Sequence, residues 1–335
     1  PEVLRYEDIA DPVPRQGEIR IKIHAATVNR VLDVSLRAGR EQYRGPVLPL
    51  TPGVDCAGIV DAVGPQVGRW RPGDRVAAAG VMPLNVCAED GSNYNGPQGM
   101  MGIKRPGGFA EMITVPACAA VAVPEHLDFH HAAVIMRHVP TAWNLLMHVA
   151  ELKKGETVLI MGAGGNLGSI GIQIAKNVVG ATVIAAAGSD ERVKLGINLG
   201  ADYGINYTTH NIRDEIMKIT GGKGVDVLYD NIANPTVLPI AFLAIGMDGR
   251  LVTAGAHAGP EVSINFSHLY HKRITIRGRP GSTESDLPDC LAAAAEGKIM
   301  PQIDRVMPLS RAAEAHRMIE ENGGQGKIVL DPTLG

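Results

Sequence analysis

Apolar residues follow two different rhythms along the 335-residue chain. Up to about residue 125 they come in short runs broken by turn residues. Positions 18–23 alternate, 58–63 form a short apolar run, and Pro72-Gly73-Asp74 supplies turn chemistry ahead of 75–78, so this part is predicted to be β-rich. From about 130 to 255, strand-length apolar runs alternate with stretches of helical spacing. The pattern predicts strands over 157–161, 182–187, 203–206, 225–229 and 250–254, separated by helices over 166–179, 190–199, 212–219 and 235–245. Such alternation builds a parallel, doubly wound sheet. The tail is mixed, with a strand near 273–278, helices near 286–296 and 310–321, and a last strand over 327–330. The expected fold is therefore α/β. A β-rich domain made of 1–125 and 264–335 is interrupted by a doubly wound domain over 126–263.

The first strand of that inner domain runs into Gly162-Ala163-Gly164-Gly165-Asn166-Leu167-Gly168, and a helix follows. Gly162 and Gly164 permit a tight turn and close backbone approach, while Gly168 and Gly171 let the helix pack against its strand. Free N–H groups at the helix start can hold a diphosphate. Glycine turns also close ordinary strand–helix connections, but here a second strand over 181–187 completes a βαβ unit of about 30 residues. Gly162, Gly164, Gly165, Asn166 and Leu167 are the candidate contacts to a dinucleotide.

A net charge of −3 and a pI near 6.4 carry no electrostatic footprint for nucleic acid or an acidic membrane surface. The four cysteines, at 56, 87, 118 and 290, show no close spacing, and neither a secretory leader nor an apolar run of about 18 residues is present. A reducing cytoplasm is the default expectation. The chain opens at Pro1, which leaves open whether its natural start lies upstream.

Motifs in order along nearly the whole chain resemble the medium-chain dehydrogenase/reductase superfamily, and more closely its zinc-independent, quinone-oxidoreductase-like members. They include Pro52-Gly53-Val54-Asp55, Pro72-Gly73-Asp74-Arg75-Val76, Gly107-Gly108-Phe109-Ala110-Glu111, Thr141-Ala142-Trp143, the glycine turn, Leu199-Gly200-Ala201-Asp202 and Gly326-Lys327-Ile328-Val329. The resemblance implies a GroES-like catalytic domain, a Rossmann domain and an interdomain cleft, with the family's usual first strand shortened or absent. It also implies a metal question, because many members hold a catalytic zinc through cysteine and histidine. Counted back from Arg37-Ala38-Gly39 the first ligand position falls on Arg30, the histidine of the family's Pro-Gly-His-Glu pattern on Val54, and the third, four residues before Thr141, on Arg137, none of which binds zinc. The structural-zinc spacing maps onto Val81, Leu84, Cys87 and Asn95, one thiol of four. No metal is expected. His24, His126, His130, His131 and His138 are scattered, as surface or hydrogen-bonded histidines usually are.

Zinc-free relatives place Asn near position 30, so Asn29 competes with Arg30 in that alignment. A guanidinium buried without a counter-charge costs several kcal/mol. Asp55, at the family's acidic position beside the metal site, is the expected internal partner of Arg30 and Arg137. One carboxylate cannot neutralise both, so cofactor phosphates or a substrate carboxylate or enolate-like oxygen would supply the rest. A purely structural Arg–Asp pair is the competing reading.

The cofactor is expected to be NADP(H). An NAD site usually ends its second strand in Asp or Glu, whereas this strand ends Ala186-Ala187-Gly188-Ser189, and Asp190 and Glu191 fall in the next helix's first turn. In zinc-free relatives a Gly-Ser pair, a nearby basic residue and a tyrosine bind the 2′-phosphate. Gly188, Ser189, Arg192 and Tyr207 occupy those places, although Arg192 also reads as a solvated helix residue and Tyr207 as a strand cap. Hydride can pass from nicotinamide to a quinone or to the β-carbon of an α,β-unsaturated carbonyl without a metal, provided donors meet the charge developing on oxygen. By analogy these donors are Tyr43, Arg30 or Arg137. Tyr43 sits two residues off the usual spacing and otherwise reads as a surface tyrosine. Thr141 is expected near the nicotinamide ring, with Asn231, Ala254 and Gly255 near the ring and its carboxamide. Aromatic residues make up only 4% of the chain, which favours small acceptors. Two other functions stay open: a zinc-free alcohol or carbonyl dehydrogenase, and a low-turnover dinucleotide-binding redox sensor. The resemblance further implies a homodimer through the edge of the Rossmann sheet, for which the apolar segment 262–276 is a candidate that could equally be internal.

Overall fold

The computed structural model describes residues 1–39, 48–79, 99–281, 285–322 and 326–335. They form two compact units, Pro1–Arg137 with Gln302–Gly335, and His138–Pro301.

The first unit is built on β1 (Glu18–Thr27), whose alternate residues Ile19, Ile21 and Ile23 are fully buried. A period of two puts them on one face, where they pack with Val60, Val76, Ile113, Val115, Ile328 and Leu330. β1 pairs antiparallel with β2 (Asp55–Val63) and with β4 (Met112–Pro116). β3 (Arg75–Ala79) follows β2 and pairs with β5 (Ala120–Ala122). β13 (Lys327–Asp331) pairs antiparallel with the end of β1 through Ala26↔Leu330 and Thr27↔Val329, and β12 (Ile303–Pro308) lies parallel to β13. The first and last parts of the chain thus share one sheet. This is the β-rich architecture that the turn-broken runs predict.

The second unit is a parallel sheet. Its strands are β6 (Thr157–Met161), β7 (Thr182–Ala187), β8 (Tyr203–Asn206), β9 (Val225–Tyr229), β10 (Ile245–Thr253) and β11 (Thr275–Gly278). They stand in the order β11-β10-β9-β6-β7-β8, the doubly wound arrangement in which strand order reverses between β6 and β9. Near-continuous apolar runs in β6 and β7 follow from helices covering both faces.

Four details depart from the pattern that the sequence predicts. The expected domain limit at 263/264 falls inside the second unit, which continues to Pro301 because β11 adds to the sheet beside β10. β11 is a short, exposed edge strand, Thr-Ile-Arg-Gly, with no buried face to mark it as part of a parallel sheet. The helix expected over 235–245 is confined to Leu238–Phe242, since the chain enters β10 already at Ile245. The helix from Asn166 is α-helical to Gln173 and then widens into π turns up to Val179. Cys56 and Cys290 are buried free thiols, whereas Cys118 is disulfide-bonded, a link that the cysteine spacing did not signal. Among the described residues no helix is long and apolar enough to cross a membrane.

Candidate functional site

Candidate functional side chains gather in two places, one in each unit. In the second unit they stand at the carboxyl ends of the parallel strands. β6 leads into Gly162, whose φ of +72° suits glycine, and Gly165 caps the helix Asn166–Gln173. A Cβ at position 168 would collide with the Gly162 carbonyl oxygen, so only glycine lets this helix start so close to the turn. The first helical turn leaves the N–H groups of Asn166 and Leu167 without intrahelical acceptors. Across the turn lies Arg192: a Cβ at Gly164 would sit 2.7–3.0 Å from its aliphatic carbons. The Ser189 hydroxyl accepts a hydrogen bond from the Arg192 N–H at 3.4 Å, capping the helix Asp190–Asn198. Gly188 lies against the Tyr207 ring, where a Cβ would be 3.2 Å from the phenol oxygen. Burial raises the Tyr207 pKa, and the nearby Arg192 charge opposes that shift.

Gly164, Gly188, Ser189, Arg192 and Tyr207 are thus neighbours around the ends of β6, β7 and β8. Asp190, the first acid after β7, is turned to β8, where its carboxylate accepts from Asn206 Nδ2 at 2.6 Å. Beyond β9 and β10, the Asn231 side-chain oxygen accepts from the Ala254 N–H at 2.8 Å, and Gly255 packs on the Asn231 carbonyl. Asn231, Ala254 and Gly255 therefore share one corner. Thr141 is half-buried on the helix Phe129–Trp143. The residues present fit a pyridine dinucleotide. The turn is a cradle that any Cβ would fill.

In the first unit a polar cluster is buried where β1 ends. Thr27 donates to both oxygens of Asp55, from its N–H at 2.8 Å and its hydroxyl at 2.7 Å. Asn29 Nδ2 donates to Asp55 at 3.0 Å, and Lys327 Nζ donates to Asn29 Oδ1 at 2.7 Å. Asp33 accepts from the N–H groups of Asn29 at 2.7 Å and Gly53 at 3.2 Å, tying the segment after β1 to the turn before β2. Thr27, Asn29, Asp33, Asp55 and Lys327 are all buried. Burial pushes the Asp33 carboxyl up to about 7 and raises Asp55 as well. It lowers Lys327 to about 8 against the pull of Asp55 and Asp33, and the Arg137 charge adds to the lowering.

This arrangement corrects the expected pairing of Asp55 with two arginines. Its hydrogen bonds come from Thr27 and Asn29, and the nearest buried cation is Lys327. Arg30 is exposed at the start of the π-helical segment Arg30–Val34 and needs no counter-charge. Arg137 is half-buried, close enough for its charge to act on Lys327. Val54 is buried in a small apolar cluster with Leu32 and Ile103. Asp33 and Lys327 went unweighed in the sequence, although Gly326-Lys327 stood among the family motifs. Tyr43, like Val81, Leu84, Cys87 and Asn95, lies outside the described residues. His130 pairs with Asp331 at 2.8 Å, His131 with Asp128 at 2.7 Å, and His24 stacks on Phe129. Among the described residues no three His, Cys, Asp or Glu side chains come together as a metal site.

Comparison with known proteins bears on the family and the fold. Residues 15–125 match the family model of the alcohol dehydrogenase GroES-like domain, and residues 166–296 that of the zinc-binding dehydrogenases. The quinone oxidoreductase of Sus scrofa is 34% identical over 98% of this chain and 94% of its own length. The NAD-dependent alcohol dehydrogenase of Sulfolobus acidocaldarius is 31% identical over 99% of this chain and 97% of its own. The crystal structure of an NAD-dependent alcohol dehydrogenase superposes with a TM-score of 0.86 at 34% identity, covering 98% of this chain and 96% of the other.

Two stability predictions follow from the buried cluster. Lys327→Met leaves two buried carboxylates without their ammonium and is expected to cost about 3 kcal/mol or more, read by urea unfolding at pH 7. A loss below roughly 1 kcal/mol would show that the ammonium does not compensate them. The raised pKa of Asp33 has a definite sign. Its folded value, about 7, lies above its reference value of 3.8, so the native state holds the proton more tightly between them. That contribution to stability is complete below pH 3.8 and is lost as pH rises through 7. Asp33→Asn should therefore gain on wild type as pH rises across this window, and parallel stability curves would refute the shift.

Proposed function

Because the chain belongs to the medium-chain dehydrogenase/reductase superfamily, as one of its quinone-oxidoreductase-like members, we propose that it is a zinc-independent, NADPH-dependent oxidoreductase. Its acceptor on this reading is a quinone or the activated double bond of an α,β-unsaturated carbonyl compound, with tolerance for an anionic group.

The observation that carries the cofactor choice is the packing of Arg192 across Gly164 with Tyr207 over Gly188, while Asp190 is held by Asn206. A 2′-phosphate needs room and positive charge, and an acid turned away from the strand end removes the usual partner of a ribose diol. Gly162, Gly164 and Gly165 with the N–H groups of Asn166 and Leu167 would hold the diphosphate. When bound, the dinucleotide supplies the hydride. Arg30, Arg137 and Tyr43 are the proposed donors that stabilise negative charge on the acceptor oxygen. Zinc independence is supported by the chemistry at the three ligand positions: two guanidinium groups and a valine whose side chain fills an apolar cluster. The relatives called quinone oxidoreductases favour the acceptor class, and the archaeal alcohol dehydrogenase keeps carbonyl reduction as a second reading.

Binding and turnover test this together. Arg192→Ala is expected to weaken NADPH about tenfold or more while leaving NADH within about twofold, measured by fluorescence titration. Equal wild-type affinities for NADPH and NADH would overturn the preference. With the preferred dinucleotide, quinones and enals should be reduced faster than aldehydes or ketones. Turnover of secondary alcohols and ketones alone would select the second reading, and tight binding without any acceptor would select a sensor. The proposed homodimer rests on the exposed edge strand β11 and its neighbours Phe266 and Tyr270, which are 74% and 65% exposed. Sedimentation as a monomer at micromolar concentration would remove it.

A further inference from the structure

One buried charge in the first unit has more hydrogen-bonding capacity than its surroundings use. Lys327 is 6% exposed, yet Asn29 Oδ1, at 2.7 Å, is the one acceptor that its ammonium meets among the described residues. An ammonium carries three donors, so two are unspent. Burying a charged donor unsatisfied is costly, and native proteins rarely do so without a use for it. The acids of the cluster do not fill the gap. Asp55 is taken up by the Thr27 N–H and hydroxyl and by the Asn29 amide, and Asp33 by the N–H groups of Asn29 and Gly53. Both carboxylates act on Lys327 through their charge without bonding it, and Arg137 brings a second positive charge to bear on it. What the site lacks is an oxygen that carries negative charge.

The ammonium is also held still at both ends. The Lys327 N–H donates to the Gln302 carbonyl at 2.8 Å, and a Cβ at Gly326 would be 2.7 Å from the Asp304 nitrogen, so the chain enters β13 along one path. The Val28 N–H donates to the Ile328 carbonyl at 3.0 Å and fixes β13 against the end of β1. Asn29, which receives the ammonium, is itself fixed, since its Nδ2 donates to Asp55 at 3.0 Å and to the Thr27 hydroxyl at 3.1 Å. A donor set in place beforehand stabilises charge that develops later without having to reorganise. Arg30 follows Asn29 directly but is exposed, so water already screens its guanidinium. Shielding makes Lys327 the stronger donor of the two.

We infer that the Lys327 ammonium is a catalytic donor that hydrogen-bonds the acceptor's oxygen as negative charge develops on it. Hydride addition breaks a π bond of the acceptor and leaves its electron pair on that oxygen, as the enolate of an enone or the monoanion of a hydroquinone. The dinucleotide is oxidised, the acceptor is reduced, and water supplies the proton that completes the product. Asn29 holds one N–H of the ammonium and leaves the other two for the oxygen. The inference rests on the proposed reduction of a quinone or enone and names the buried group that stabilises its charge.

A coloured phenol that stands in for the charged oxygen tests this without turnover. 4-Nitrophenol is titrated into protein saturated with NADP+, or with NAD+ if that is preferred, at a pH where the free dye is about half ionised. Wild type should bind it almost wholly as the phenolate. Lys327→Met should weaken phenolate binding about tenfold or more, while Lys327→Arg, which keeps the charge, should retain the preference for the phenolate. Because the methionine variant loses stability, a measurement on wild type runs beside it. Lys327 is the buried lysine among the described residues, so its ammonium is the one whose hydrogen exchange is slowed in a spectrum of lysine-labelled protein. That signal should shift on saturation with the dye. An unmoved signal, a dye that does not bind, or one bound in its solution ratio of phenol to phenolate overturns the inference. A Lys327→Met loss confined to dinucleotide affinity overturns it too, by assigning the ammonium to the cofactor. Wild type that reduces neither quinones nor enals with either dinucleotide overturns the parent reading, which the dye and lysine measurements do not depend on.

Discussion

Two carboxylates buried under one ammonium set the terms for the first unit. Asp33 and Asp55 are almost completely shielded from water, and a buried anion is tolerated only where donors and counter-charge are fixed in place. Every neighbour of the pair serves that end. Thr27 spends its N–H and its hydroxyl on Asp55, and Asn29 divides its side chain between Asp55 and Lys327. Asp33 gathers N–H groups from Asn29 and Gly53. The ammonium arrives on β13, from the far end of the chain, because β13 pairs with the last residues of β1. Without that pairing the carboxylates lose their cation, and without the cation the ends of β1 and β13 enclose uncompensated charge. Strand register and electrostatics are therefore one constraint rather than two.

That coupling explains which parts of the molecule were legible in the sequence. The glycine turn was readable because its logic is local: a strand, a turn that tolerates no Cβ, and a helix, all within about 20 residues. Gly188, Ser189, Arg192 and Tyr207 were singled out by the resemblance to zinc-free relatives, and the structure brings these four residues together at the ends of β7 and β8. Lys327 was different. Its meaning depends on a residue 298 positions away, and only the β1–β13 register brings the two together. Asp33 lies four residues after Asn29, close in sequence, but nothing in the pattern marks that N–H and carboxylate as buried. β11 escaped for the opposite reason: an edge strand of four exposed residues lacks the apolar run that announces its partners.

The two sites also treat charge in opposite ways, and this governs what can change in each. Arg192 is exposed and packs its aliphatic part on a glycine, so its charge costs little to hold and little to remove. Lys327 is buried and its charge is part of the packing. A substitution at 192 removes an exposed charge and leaves the core of the second unit untouched. A substitution at 327 cannot alter chemistry alone, because the same group maintains Asn29, and through it Asp55, in position. Loss of a charged group is therefore cheap at 192 in the second unit and expensive at 327 in the first. A chain of this architecture is free to vary the exposed residues at the ends of β6, β7 and β8 while the buried cluster holds the end of β1 to β13.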